Sequence, residues 1–165
     1  MKALAALSLL AILAAPLPAF AGTFAIPSDE PVATVSIPDS WEPKPYEGGA
    51  EGTSPDGKVY VAVEMVKADD VGKATEDGIK WFAKQGVEID PATMKTKDIK
   101  INDLPAFDIT MSGKDKDGPA EVSLTLVATN SPTKFLFLYY WGSPEGAKAN
   151  MDALMKIGNS LQATK

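Results

Sequence analysis

The chain of 165 residues has no cysteine, no histidine and no arginine. Each absence removes a class of function. Without cysteine there is no disulfide, no thiolate nucleophile and no cysteine-borne lipid anchor behind the N-terminal apolar run. Without histidine there is no Ser-His-Asp or Cys-His catalysis, no imidazole metal site and no phospho-histidine relay. A zinc centre would need four carboxylates, so oxygen ligation of the calcium or magnesium kind is all that is left, and we expect no metal and no cofactor. Without arginine, and with 22 acidic residues against 16 lysines, the chain lacks the basic patches and guanidinium forks that read phosphate and guanine. We therefore expect no nucleic-acid partner. The same charge disfavours anionic membrane surfaces.

Long apolar runs are also scarce. The exception is Ala3 to Ala15, where Lys2 is the only nearby charge, followed by Pro16, Pro18 and the small-residue pattern Ala19-Phe20-Ala21. This is the pattern of a cleavable secretory signal peptide. The run is too short and too closely followed by prolines for a good membrane span. We expect residues 1–21 to be a leader and residues 22–165 to be one domain, exported to a bacterial periplasm, with no membrane insertion after cleavage. With Lys2 in the leader, residues 22–165 set 22 acids against 15 lysines, a formal charge of −7. A chain of this size buries roughly two thirds of its unfolded surface and needs no staples.

Within that domain, hydrophobic patterning marks the elements. Residues 22–30 read as a lead-in, with Phe24, Ile26 and Pro27 lying against the domain. Val32 to Ile37 (VATVSI) is β-branched and reads as a strand. Pro38 has no backbone donor and stops the ladder, which lets Trp41 fold back onto the sheet. Tyr46 to Thr53 is a weak, glycine-rich strand. Ser54-Pro55-Asp56-Gly57 is a strong turn. Lys58 to Val66 is apolar on both faces, which predicts a central strand. Asp69-Asp70 opens a helix in which Val71, Ala74, Ile79, Phe82 and Ala83 share a stripe and Trp81 falls off it. Gly86 stops that helix.

The second half predicts a meander. Thr93 to Ile101 carries lysines that suit an edge strand. Asn102 to Pro105 turns. In the next strand Phe107, Ile109 and Met111 share a face. Lys114 to Gly118 is a charged hairpin tip. Strands over 120–129 and 134–141 follow, the last apolar on both faces and so central. Ser143 caps a final helix with Pro144 at its first position, and Ala147, Met151, Leu154, Gly158 and Leu161 form its buried stripe, flanked by Met155 and Ile157. The expected class is α+β, an antiparallel sheet with helices packed on it.

"SIPDSW", "SPDGKVYVAVEMV", "INDLPAFDITMSG" and the closing "KIGNSLQ", in this order, resemble the Mog1/PsbP-like superfamily, including its bacterial DcrB-like members. The resemblance covers nearly all of residues 22–165 and implies an α/β/α sandwich. Its markers are structural: Pro38, Trp41, Gly57 and Pro105. Members include photosystem II extrinsic subunits, a Ran-binding transport factor and bacterial envelope proteins, most of which dock onto larger partners. The resemblance thus implies a binding or accessory protein with an envelope partner, and supplies no active site to carry over.

Several residues invite a chemical reading. Ser131-Pro132-Thr133-Lys134 has the S-x-x-K spacing of penicillin-binding enzymes, but precedes a strand rather than opening a helix. Glu47 to Gly52 is glycine-rich, yet lacks a phosphate-loop pattern and carries two repelling glutamates. Asp115 and Asp117 in "KDKDG" are spaced like the start of a calcium loop, with Lys116 between them and the later glutamate missing. Glu64, mid-strand among apolar residues, is the leading candidate acid of a carboxylate-dependent hydrolase, against the favoured reading of a carboxylate at the solvent rim of the sheet paired with a lysine. A carrier of a small apolar ligand held between sheet and helix is the other alternative. Among the aromatics, Tyr46 beside the glycine-rich strand and Trp81 off its helix stripe are the expected exposed interface residues.

Overall fold

The computed structural model describes residues 21–164. The expected leader, residues 1–21, therefore lies outside the described residues apart from Ala21. The fold is α+β and antiparallel throughout, built on an eight-stranded sheet with a three-stranded sheet beside it.

The expected lead-in is instead a strand. β1 (Ala21–Ile26) pairs antiparallel with β2 (Ala33–Pro38). Alternation explains β2, where Ala33, Val35 and Ile37 are buried, and pairing with it makes β1 a strand, of which Ile26 is buried. Pro38 ends β2, and a single 3-10 turn at Asp39–Trp41 drops Trp41 into the core at 2% exposure. Glu42 then takes a left-handed φ of 48° and reverses the chain.

The single strand expected over residues 46–53 is a hairpin, β3 (Lys44–Tyr46) and β4 (Gly49–Thr53), turning at Glu47-Gly48. Ser54 to Gly57 turns as expected, with Gly57 at φ 68°. β5 (Val59–Lys67) follows, then α1 (Val71–Lys84). A two-residue strand, β6 (Glu88–Ile89), leads to β7 (Lys95–Ile101), β8 (Leu104–Asp115), β9 (Gly118–Ala128) and β10 (Lys134–Gly142). These last four form the predicted meander, and β10 closes it by pairing with β5. The large sheet runs β3-β4-β5-β10-β9-β8-β6, with β7 also on β8. β5 and β10 are central, as their two apolar faces require. Pro105 lies in β8 opposite Lys100 of the edge strand β7, where its missing donor is tolerated.

The final helix is broken. α2 (Pro144–Ala149) and α3 (Met151–Ser160) meet at Asn150, which has φ −103° and ψ 10°. The Asn150 amide donates to Asp56 at 3.1 Å and to the Gly146 carbonyl at 3.0 Å, which satisfies the break. The expected stripe is corrected accordingly: Met151 and Met155 are exposed, whereas Ile157 and Leu161 are buried. A two-residue strand, β11 (Gln162–Ala163), then pairs with β2.

Two apolar clusters result, one on each face of the large sheet. The small sheet and α3 bring Val35, Ile37, Trp41, Ile157 and Leu161 against Val61, Val63 and Leu136. On the other face α1 brings Phe82 against Val66, Leu124 and Phe137. Phe107 shares the face of Ile109 and Met111 as predicted, but is 42% exposed, opposite Asp98 at the sheet's edge. Among the described residues no helix is long and apolar enough to cross a membrane.

Candidate functional site

Sheet register assembles an aromatic and acidic cluster on the α1 face. Tyr46 lies opposite Gly49, Gly49 opposite Glu64, and Glu64 opposite Phe137, so one row crosses β3, β4, β5 and β10. Gly49 is required there, because a Cβ on it would lie 1.9 Å from the Val63 carbonyl oxygen. Its missing side chain also leaves Tyr46 free to reach across to Glu64. The Tyr46 hydroxyl donates to Glu64 Oε2 at 3.2 Å, and the Tyr139 hydroxyl donates to Oε1 at 2.6 Å. One strand position away, the Tyr60 hydroxyl donates to Glu51 Oε2 at 2.7 Å.

The helix completes the cluster. Trp81 stands over Tyr60 with ring centroids 4.9 Å apart, and meets Tyr139 edge-on at 6.2 Å. Gly78, one turn earlier, permits this approach, since a Cβ there would lie 3.0 Å from both Leu124 and Tyr139. Trp81, Tyr60 and Tyr139 are half-buried, and Tyr46 is 37% exposed. The two expected interface aromatics, Tyr46 and Trp81, thus belong to one surface, joined through Glu64 and Tyr139.

The electrostatics keep every phenol protonated. Burial, reinforced by Glu64, holds the Tyr46 and Tyr139 hydroxyls well above the usual phenol range. Burial and the hydrogen bond to Glu51 do the same for Tyr60. Glu64 is half-buried, and both of its oxygens already accept a phenol. That arrangement fixes side chains rather than preparing an acid for proton transfer, because a general acid must present its proton to a substrate.

The remaining motifs have structural work. Lys134 Nζ binds Glu30 at 3.1 Å, while Ser131 Oγ lies 3.3 Å from Thr133 Oγ1, so no Ser-Lys dyad forms. Asp115 accepts the Trp141 indole at 3.0 Å and the Asp117 amide at 2.8 Å, and Asp117 pairs with Lys116. Among the described residues no three acids converge as metal ligands.

Two features escaped sequence reasoning. Asp108 Oδ1 accepts Ser123 and Thr125, each at 2.6 Å, and Oδ2 accepts Thr110 at 2.8 Å. This polar knot borders a cavity of about 220 Å³ that Lys95, Lys97 and Glu121 also line. It depends on β8–β9 register, and only the polar alternation of Asp108, Thr110 and Ser112 signals it. The second feature is a groove of about 430 Å³ between β1 and the β3–β4 hairpin, lined by Phe24, Ala25, Pro45 and Tyr46 among others. Reading residues 22–30 as a lead-in hid one of its walls.

No family model and no curated protein matches the sequence. The fold, in contrast, has clear counterparts. The cyanobacterial PsbP, CyanoP, of Synechocystis sp. PCC 6803 is similar over 88% of this chain and 94% of its own, at 11% identity and a TM-score of 0.53. LpqN of Mycobacterium tuberculosis, described as involved in cell envelope biogenesis, is similar over 88% of this chain and 92% of its own, at 15% identity and a TM-score of 0.53. The Ran-binding protein Mog1p of Saccharomyces cerevisiae is similar over 87% of this chain and 95% of its own, at 7% identity and a TM-score of 0.51. A Bacteroides thetaiotaomicron structure matches 86% of this chain at 15% identity and a TM-score of 0.53, and the chain spans 47% of that protein's length. At these identities the likeness is one of architecture, and the chain has the Mog1/PsbP-like fold.

Proposed function

We propose that this chain is an exported, non-catalytic binding protein that docks onto an envelope partner through the face carrying Tyr46 and Trp81. The observation that carries the reading is the cluster itself. Four aromatic side chains, Tyr46, Tyr60, Trp81 and Tyr139, stand partly open to water; the three phenol hydroxyls are locked onto Glu51 and Glu64, and Trp81 packs on Tyr60 and Tyr139. Rigid Tyr and Trp side chains with satisfied polar ends lose little entropy on binding and dominate interface hot spots. Fold-level analogy points the same way: one counterpart is a Ran-binding protein and another takes part in cell envelope biogenesis. The N-terminal signal pattern supports an envelope address.

Photo-crosslinking in intact cells tests this. A photoreactive phenylalanine analogue placed at Tyr46 or at Trp81 is expected to capture the same envelope protein. The analogue at Met155, exposed on α3 across the sheet, is expected to capture none. Equal capture from all three positions, or none from the first two, rejects the reading.

A further inference from the structure

We propose that the free edge of β1 takes up a short extended segment of a partner protein, bearing lysine or arginine, as an added strand. This rests on the docking reading but concerns the edge of β1 rather than the α1 face, the two sharing Tyr46. Among the described residues β1 pairs only with β2. Its other edge borders the groove of about 430 Å³, with Thr23, Phe24 and Ala25 on one wall and Pro45, Tyr46 and Gly49 on the other.

An edge strand leaves backbone donors and acceptors that seek a further strand, and natural proteins blunt such edges with charge or proline. The long edge strand β7 carries Lys95, Lys97 and Lys100, and β3 has Pro45 in its middle. Residues 22–26 of β1 (GTFAI), which remain after the expected cleavage, carry no charged side chain and no proline. The groove also has the right size. Strand spacing, sheet separation and rise per residue together give an added strand about 160 Å³ per residue, so the groove takes roughly three residues. Phe24 and Tyr46 offer apolar surface to alternate side chains of such a segment, the usual source of specificity when main-chain bonds supply affinity.

Charge selects the occupant. Glu47 lines the groove, and Asp29 lies in the loop that leaves β1; both are exposed. Glu30, next to Asp29 in sequence, is held by Lys134. A second copy of this acidic chain would bring the same carboxylates together, whereas a basic segment complements them.

The experiment places the photoreactive analogue at Ser28, an exposed residue of the groove wall, and, as a control, at Lys100 on β7, exposed at the far end of the large sheet from β3. The expected adduct forms from Ser28 only, and mass spectrometry maps it to one short lysine- or arginine-containing stretch of the partner. Thr23→Lys adds an edge charge and is expected to cut the yield more than about tenfold, as like-charge contact costs several kcal/mol. Thr23→Val removes the same Thr23–Ser36 hydrogen bond without charge and is expected to retain the adduct. No Ser28 adduct, an adduct with a second copy or with a helix, or equal yields in Thr23→Lys and Thr23→Val would each overturn the proposal. Capture from Trp81 with none from Ser28 overturns the edge proposal and leaves the docking reading standing.

Discussion

Glu64 is the residue on which the catalytic and binding readings part. A hydrolase would need it protonated in a cleft, beside a second acid. Here Tyr46 and Tyr139 fill both of its oxygens. Glu64→Gln replaces the charged acceptor of two phenols with a neutral one. We expect a loss of about 1–3 kcal/mol in urea unfolding, the cost of leaving a buried hydrogen-bonding group poorly satisfied, and no loss of any turnover. A hydrolytic activity abolished by this substitution would overturn the assignment. The phenols make a second prediction. Tyr46, Tyr60 and Tyr139 all have folded-state values raised above the ordinary phenol value of 10.0. When a folded value is raised, the unfolded chain loses its proton first as pH rises. The native state then binds more protons than the unfolded one, and stability falls with increasing pH. The stability contributed by these phenols is intact below about pH 10 and declines as the pH rises through it toward the folded values. Alkaline unfolding followed by phenolate absorbance should therefore be cooperative, with little tyrosinate before unfolding. Tyr139→Phe should lower the proton dependence by about one. A gradual tyrosinate titration in the folded state would contradict this.

Among the elements, the β3–β4 hairpin matters most, since it delivers Tyr46. It depends on Gly49, the first residue of β4, whose added Cβ would meet the Val63 carbonyl. Gly49→Ala should push β4 from β5 and cost about 2–4 kcal/mol, the range of backbone strain combined with lost packing. The same substitution should release the Tyr46–Glu64 bond, seen as a Tyr46 phenol that titrates closer to the ordinary value. Unchanged stability would show that the strands part without cost. Much of this level was legible in the sequence. β-Branched content marked β2, two apolar faces marked β5 and β10, lysines marked the edge strand β7 and alternation marked β8; Ser143-Pro144 marked the start of α2, and Pro38-Trp41 marked the strand end and core plug. The failures have local causes. Residues 22–30 carry small residues whose alternation is weak, and pairing with β2 rather than propensity makes them a strand. Glu47-Gly48 turns the chain without proline or an Asn-Gly pair. The break at Asn150 depends on Asp56, which lies 94 residues away in sequence, and no local pattern contains it. At the site, Trp81 was singled out as an aromatic off its helix stripe and Tyr46 as one beside the glycine-rich strand; Tyr46 is exposed, whereas Trp81 is half-buried against Tyr60. Their union with Glu51, Tyr60, Glu64 and Tyr139 is a matter of register and was not legible.

At the scale of the whole molecule, the chain wraps one face of its large sheet in α3 and a second sheet, and covers the other with a single helix. α1 spans 14 residues, and beyond it the Tyr46–Glu64 row emerges at the sheet's β3 end. This division gives the protein a face closed by its own core and a face with aromatic surface left over, as a docking module requires. Native mass spectrometry of the protein, purified gently from the envelope of its own cells, tests the account most directly. The predicted result is the mass of residues 22–165 bound to one protein partner, with the complex lost when Tyr46 and Trp81 are both replaced by alanine in a variant that remains folded. Bare protein from both preparations, together with a turnover that Glu64→Gln abolishes, would contradict it.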